Sequence, residues 1–306
     1  MRTYLLFFLV SIILMLGLGC ENNIPVHTVA ASVGSQQESN TISKEFMEYW
    51  YKGTAEISSY SLKQERYGEI REGDAVLIFV TEPFSMKKQV KLDNPQQVGN
   101  DKVSVLKLNQ VRKFNTGIYD YSIMSSSFTP VQLNRYPYTI KVTSSSQEWC
   151  GQTFNQLNLM GNEYRHREYS YFELEGDKDN NMKASLLEED LMSRLRITGS
   201  LPLGSILLIP SIVHSRLAHT ILKPEKASVS KVDEGEISTY TIHYENMDRQ
   251  LEVQVEKTFP YKILGWTEII NERRTIASLK KTMKTAYWSK NRNIDEVLRQ
   301  ELGLTK

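Results

Sequence analysis

Alternation of apolar and polar residues with period two dominates the chain from Thr54 onward, and it predicts strands. Ala55 and Ile57 fall on one parity while Tyr60 and Leu62 fall on the other, which predicts a strand with a bulge at Ser58 and Ser59. Glu72, Gly73 and Asp74 read as a turn into residues 75–82, whose run VLIFV predicts a strand covered on both faces. Further strands are predicted at 103–108, 138–143, 148–157 and 164–173. Segments 237–245 and 250–259 flank Asn246, Met247, Asp248 and Arg249 as a hairpin. Strands that follow one another with few helices between them argue for antiparallel pairing rather than parallel βαβ units.

Three segments have helical period instead. Ser43 caps a helix with Phe46, Met47 and Trp50 on one face, stopped by Gly53. Residues 184–196 place Leu187, Leu191 and Leu195 four apart. Near the end, Asn293 caps a helix with Glu296 in capping-box position, an apolar stripe of Ile294, Val297, Leu298 and Leu302, and Gly303 as its stop. The expected fold is therefore mainly β (α+β): a curved antiparallel sheet or partly open barrel with three short flanking helices. It occupies residues 41–306, with a possible hinge at 177–182 dividing halves 41–180 and 181–306.

The first twenty residues carry a different pattern. Arg2 precedes an apolar run from Leu5 to Leu18, and Gly19 leads into Cys20. Such a layout predicts a secretory signal over 1–19 of the lipoprotein kind, with Cys20 acylated (palmitate class) and residues 20–40 a polar tether. The expected address is the cell envelope, lipid-anchored, and Glu21 after the cysteine is compatible with the outer membrane. Lysine and arginine number 37 against 36 acids, with no run of five basic residues, so nucleic acid is not an expected partner. If Cys20 carries lipid, Cys150 is left without a disulfide partner, which favours a buried position for it.

Candidate chemistry is sparse. Trp149-Cys150-Gly151-Gln152 holds half of a thioredoxin signature, but Thr153 stands where the resolving thiol belongs, so Trp149 and Cys150 are expected within a strand. A Cys150 nucleophile would need an imidazole, and His166, His214, His219 and His243 are the candidates. His214 and His219 lie five apart, which splays two ligands on a helix, so no metal site is expected; no cofactor motif is present. Glu188, Glu189 and Asp190 lie mostly off the leucine stripe and are expected in solvent. Tyrosine is abundant, with sixteen in the chain, and Tyr119, Tyr121, Tyr138, Tyr169 and Tyr171 are candidates for lining a concave ligand groove.

Several runs carry a resemblance. They are Tyr49-Trp-Tyr-Lys-Gly-Thr-Ala-Glu-Ile57, Gln64-Glu-Arg-Tyr-Gly-Glu-Ile-Arg71, Phe114-Asn-Thr-Gly-Ile-Tyr119, Gln147-Glu-Trp-Cys-Gly-Gln152 and the closing Ser-Lys-Asn-Arg-Asn-Ile-Asp-Glu-Val-Leu-Arg. Over most of residues 44–304 the chain resembles a family of uncharacterised Bacteroidetes-type envelope lipoproteins. Members sometimes carry the label septum formation inhibitor Maf. That label does not suit this chain, because true Maf pyrophosphatases need a Ser-x-Ser-Pro-Arg-Arg motif and no Ser-Pro occurs here. The resemblance implies the envelope address and supplies no catalytic residues.

The expected function is a lipid-anchored, non-catalytic module that binds a lipophilic or envelope ligand or a protein partner. Alternatives are an envelope hydrolase or transferase using Cys150 with His166 or His219, and a structural scaffold lipoprotein. Replacing Cys20 by Ala is expected to move the protein from the membrane to the soluble envelope fraction; unchanged retention on fractionation would sink the lipoprotein reading.

Overall fold

A computed structural model describes residues 42–304, so the signal segment 1–19, Cys20 and the tether lie outside the described residues. The period-two pattern becomes one sheet of fifteen strands. A first meander comprises β1 (Ala55–Arg66), β2 (Glu69–Ser85), β3 (Lys102–Thr116), β4 (Tyr119–Pro130), β5 (Lys141–Glu148), β6 (Gly151–Met160), β7 (Glu163–Ser170) and β8 (Lys178–Lys183). A second comprises β9 (Leu186–Leu187), β10 (Gly204–Ile209), β11 (Glu225–Glu234), β12 (Ile237–Tyr244), β13 (Arg249–Glu256), β14 (Ile263–Ile270) and β15 (Arg273–Thr285). It ends by pairing β15 with β1, and every pairing is antiparallel except β9 with β10.

That order puts β8 and β9, consecutive in sequence, at opposite edges of the sheet. Lys183 and Leu186 are three residue steps apart, at most about 11 Å, so the sheet must curl until its edges nearly meet. The seam closes by packing: Leu187, Ile209 and Ile212 share an apolar cluster with Val142, Leu157, Tyr164 and Met182. The fold is thus mainly β, a curved antiparallel wall spanning both expected halves. The edge strand β8 reads KDNNMK, a charged sequence that discourages pairing with another chain.

Four short helices accompany the wall: α1 (Lys44–Trp50), α2 (Leu191–Thr198), α3 (Ile212–Ala218) and α4 (Val297–Glu301). The expected helix at 184–196 starts only at Leu191, because 186–187 form β9 and 188–190 a 3-10 turn. The helix α3, capped by the Ser211 hydroxyl, is the addition; seven residues are too few to show a period. Nor do the first three merely flank the sheet. Phe46 and Trp50 of α1, Leu191, Met192 and Leu195 of α2, and Val213 of α3 join Tyr60, Leu77, Phe79, Ile242 and Trp266 in one interior core. At the rim where β1 begins, Trp50 O accepts from Thr81 Oγ1 at 2.7 Å. At the rim where β1 ends, Arg66 Nη1 donates to Leu217 O at 2.6 Å.

Two local readings change. Both parities of β1 are apolar because both faces are covered: Tyr60 and Leu62 face the interior, while Ile57 and Ser59 lie under the C-terminal segment, where Ser59 Oγ donates to Leu302 O. The bulge is real but sits in the partner strand. Ser59 pairs with Lys281 and Tyr60 with Leu279, so the extra residue is Lys280. The second change concerns residues 72–74, which lie inside β2; the turn is Tyr67-Gly68, with φ of 58° and 79°. Gly73 serves close approach, since a Cβ there would lie 2.2 Å from Lys113 O.

Inside the wall, charge is paired. Arg196 Nη2 donates to Glu56 Oε2 at 2.7 Å, Arg249 Nη2 to Glu188 Oε1 at 2.5 Å, and Arg112 Nη2 to Glu268 Oε1 at 2.6 Å. Arg194 Nε donates to Asp190 Oδ1 at 2.8 Å, and Arg216 Nη2 lies 3.6 Å from Glu148 Oε1. All ten side chains are buried. The acidic run 188–190, expected in solvent, is therefore interior, each residue with its own partner: Glu188 takes Arg249 and Tyr244, Glu189 accepts the Ile212 N–H, and Asp190 takes Arg194 and Thr139. Removing one member strands a buried charge, at about 3–5 kcal/mol. Arg249→Met is expected to lose that much in urea unfolding, and adding Glu188→Gln to recover more than half; a double variant no more stable than the single would refute the assignment.

Candidate binding cleft

The concave face was the expected place for a ligand, and it is full. Tyr60, Tyr121, Tyr164, Tyr240 and Tyr244 point inward and are buried, with hydroxyls committed: Tyr60 to Ile263 O and Tyr164 to Thr139 O, both at 2.8 Å, and Tyr244 to Glu188. The interior void beside Arg112, Glu189 and Trp266 has room for about 20 Å³, the size of a single water rather than a ligand. Of the tyrosines proposed for a concave groove, Tyr121 is core, stacked on Phe114 at 4.8 Å. Tyr119 and Tyr138 are partly buried against the core. Tyr169 and Tyr171 are exposed on the outside of the wall.

A cleft of about 650 Å³ lies instead on the convex face, between β1, β2, β3 and β15 below and the C-terminal segment above. Its floor is built by strand parity. Met283, Ile57 and Ile78 are cross-strand partners in one row, Val76 and Val111 in the next. Each is the outward member of a strand whose alternate residues, such as Leu77 and Phe79, fill the interior. The roof is Tyr287, Leu298 and Leu302. Leu302 O accepts from Ser59, and Lys280, the bulged residue, ties Gly303 O to Asp74. Charged groups line it too: Glu72, Asp74, Lys113 and Asp120 on the sheet side, and Lys290, Asp295 and Arg299 on the C-terminal segment. Such a volume and such an aliphatic lining suit a small apolar molecule.

No protein-family model matches the chain, nor does any curated protein. Among solved structures it is similar to the crystal structure of a β-barrel-like protein of domain of unknown function DUF1849 from Brucella abortus. Identity is 8%, the TM-score is 0.48, and the match covers 76% of this chain and 98% of that one.

Cys150 is not in a strand and not buried. It occupies, with Trp149, the two-residue turn between β5 and β6, as an exposed free thiol. Its N–H donates to Glu148 Oε2 at 2.6 Å, and a hydrogen bond to the same carboxylate, reinforced by its charge, pushes the thiol pKa up, away from the thiolate that nucleophilic attack needs. His166 is buried and bonded to Asn155 Oδ1 at 2.7 Å; burial lowers its pKa. His219 caps α3 at φ 54° and meets Glu175 Oε1 at 2.6 Å in an exposed site. His214 faces the interior, where burial and then Arg249 push its pKa down to about 4, while His243 is exposed on β12. The structure thus sends His214 and His219 to different environments.

Glu189 is a group that no spacing singled out. Burial first, then Glu188, pushes its pKa up to about 8. Its folded form therefore holds a proton that the unfolded chain has lost above about 4.5, so its contribution to stability is present at low pH and drains away as pH rises to about 8. The His214 contribution runs the other way, lost as pH falls from 6.5 to about 4. Glu189→Gln, which keeps an acceptor for the Ile212 N–H, is expected to flatten the fall in melting temperature between pH 6.5 and 8; an unchanged slope would contradict the assignment.

Proposed function

We propose that this protein is a lipid-anchored envelope module that binds a lipophilic ligand, such as an acyl chain, in the convex cleft roofed by the C-terminal segment. The observation that carries the reading is the contrast between the two faces of one sheet. Inward side chains pack against helices and ion pairs, whereas the outward aliphatic row Met283, Ile57 and Ile78 faces a cleft of about 650 Å³. An apolar occupant would release water from both surfaces, at about 25 cal/mol per Å² buried. Anchoring through Cys20 would hold such a site within a tether's length of its lipid source.

The site contains no nucleophile–base pair among its described residues, and binding needs none. The test uses the apolar fluorophore 1-N-phenylnaphthylamine with the full-length chain. Saturable enhancement is expected, displaced by palmitate and weakened at least tenfold in Ile78→Arg, a partly exposed position where the melting temperature should move by only a few degrees. Equal affinity in the two proteins, or no saturable signal, would overturn the reading.

A further inference from the structure

Large apolar side chains are exposed on this wall in a pattern unrelated to the cleft. At the rim where β1 ends, nearly every turn of the first meander offers one: Tyr67 between β1 and β2, Ile118 between β3 and β4, Trp149 between β5 and β6, and Tyr171 and Leu174 between β7 and β8. Ile221, just past α3, is the sixth, and the exposures of the set run from 60% to 98%. The second meander's turns at this rim expose polar residues, Glu245, Asn246, Asp248, Asn271 and Glu272, with Met247 packed back on the core. These turns touch one another in sequence. Tyr67 OH meets Tyr121 OH at 2.9 Å, Trp149 Nε1 donates to Asp120 Oδ1 at 3.0 Å, and the Tyr171 ring lies against Gly151, where a Cβ would be 2.6 Å away. Phe172 then packs on Arg216 and on His219, two residues before Ile221.

We propose that this rim docks on a bilayer of zwitterionic lipid, inserting its apolar tips into the headgroup boundary. The tips come from separate turns that brace one another, so they present an uneven apolar edge that a fluid lipid surface accepts without a matching pocket. Trp and Tyr with Ile and Leu are the interfacial set, and the polar atoms of Trp149 and Tyr67 already have partners inside the rim, so their rings enter without stranding a donor. Charge selects the lipid. The turns and the strand ends beside them carry Glu69, Asp120, Glu173, Asp177 and Glu272 against Arg273 and Arg274, so the rim has no basic excess to favour an anionic surface. Length permits it as well. The described chain starts at the opposite rim, yet the 22 steps from Cys20 to Ile42 reach roughly 70 Å, more than the about 56 Å of the 17-residue β2. Asp120 also lines the cleft, so docking would set one end of the cleft beside the membrane.

Trp149 is its own reporter. Trp50 and Trp266 are buried, and Trp288→Phe removes the other exposed indole. Full-length Trp288→Phe protein is placed on phosphatidylcholine vesicles with brominated or unbrominated acyl chains. Exposed-indole emission is expected to fall at least twofold with bromolipid, and Ile118→Asp with Leu174→Asp to abolish most of that fall without shifting the melting temperature. Quenching should persist in 0.5 M salt. Equal emission in the two vesicle types would overturn the proposal and leave the rim to a protein partner. The dye assay on the cleft is independent, because the Ile118 and Leu174 changes leave its lining intact.

Discussion

A wall of fifteen strands encloses a lumen wider than its own inward side chains can fill, since about eight strands is the size that side chains alone pack. Everything else in this molecule follows from how that space is occupied. The chain fills it with the turn at 188–190, α2 and α3, which interrupt the start of the second meander, and with α1 at one rim. Three pairs join filler to wall, Glu188–Arg249, Arg196–Glu56 and Arg216–Glu148, while Asp190–Arg194 lies within the filler and Arg112–Glu268 within the wall. Buried charge of this kind adds little net stability compared with apolar packing, but it penalises every wrong placement of the filler heavily. The pairs therefore act mainly on register, fixing where each helix sits.

A filled lumen has a consequence for function. A barrel-like wall suggests a ligand inside, yet the inward tyrosines are structural, their rings packed and their hydroxyls bonded to backbone carbonyls, to Glu188 or, for Tyr121, to Tyr67. The open space lies on the outside, where the C-terminal segment crosses β1 above an aliphatic row. The bulge at Lys280 belongs to the same arrangement: the extra residue frees its amine to hold both Asp74 and the carbonyl of Gly303. Wall, filler and roof are thus three uses of one chain, and the proposed cleft exists because the third does not pack flush on the first.

Much of this was legible from residues alone. The hairpin at 237–256 reads from alternation on both sides of a four-residue turn, although that turn is Glu245 to Asp248 rather than Asn246 to Arg249, and Arg249 opens β13. The run Val76 to Val80 correctly indicated cover on two faces, although only the structure names the covers as the interior core and the C-terminal segment. Cys150 misled because its neighbours alternate as a strand would, and a two-residue turn such as Trp149-Cys150 interrupts that pattern by too little to show. Residues 72–74 misled in the opposite sense, because Gly between acids looks like a turn when its role is a close approach of β3.

By itself, then, the sequence determined the local terms: which stretches are extended, that Ser43 caps the first helix, and the antiparallel habit of the wall. These depend on neighbours within a few residues, and period and capping chemistry report such neighbours. Tertiary structure alone decided what depends on residues far apart: that β8 and β9 meet across a seam, that Glu188 turns inward to Arg249, 61 positions away, and which face of β1 carries a cleft. An acidic triplet has the same local pattern in water as in a lumen. Burial needs a partner for each member, and for Glu188 that partner, Arg249, comes from far along the chain.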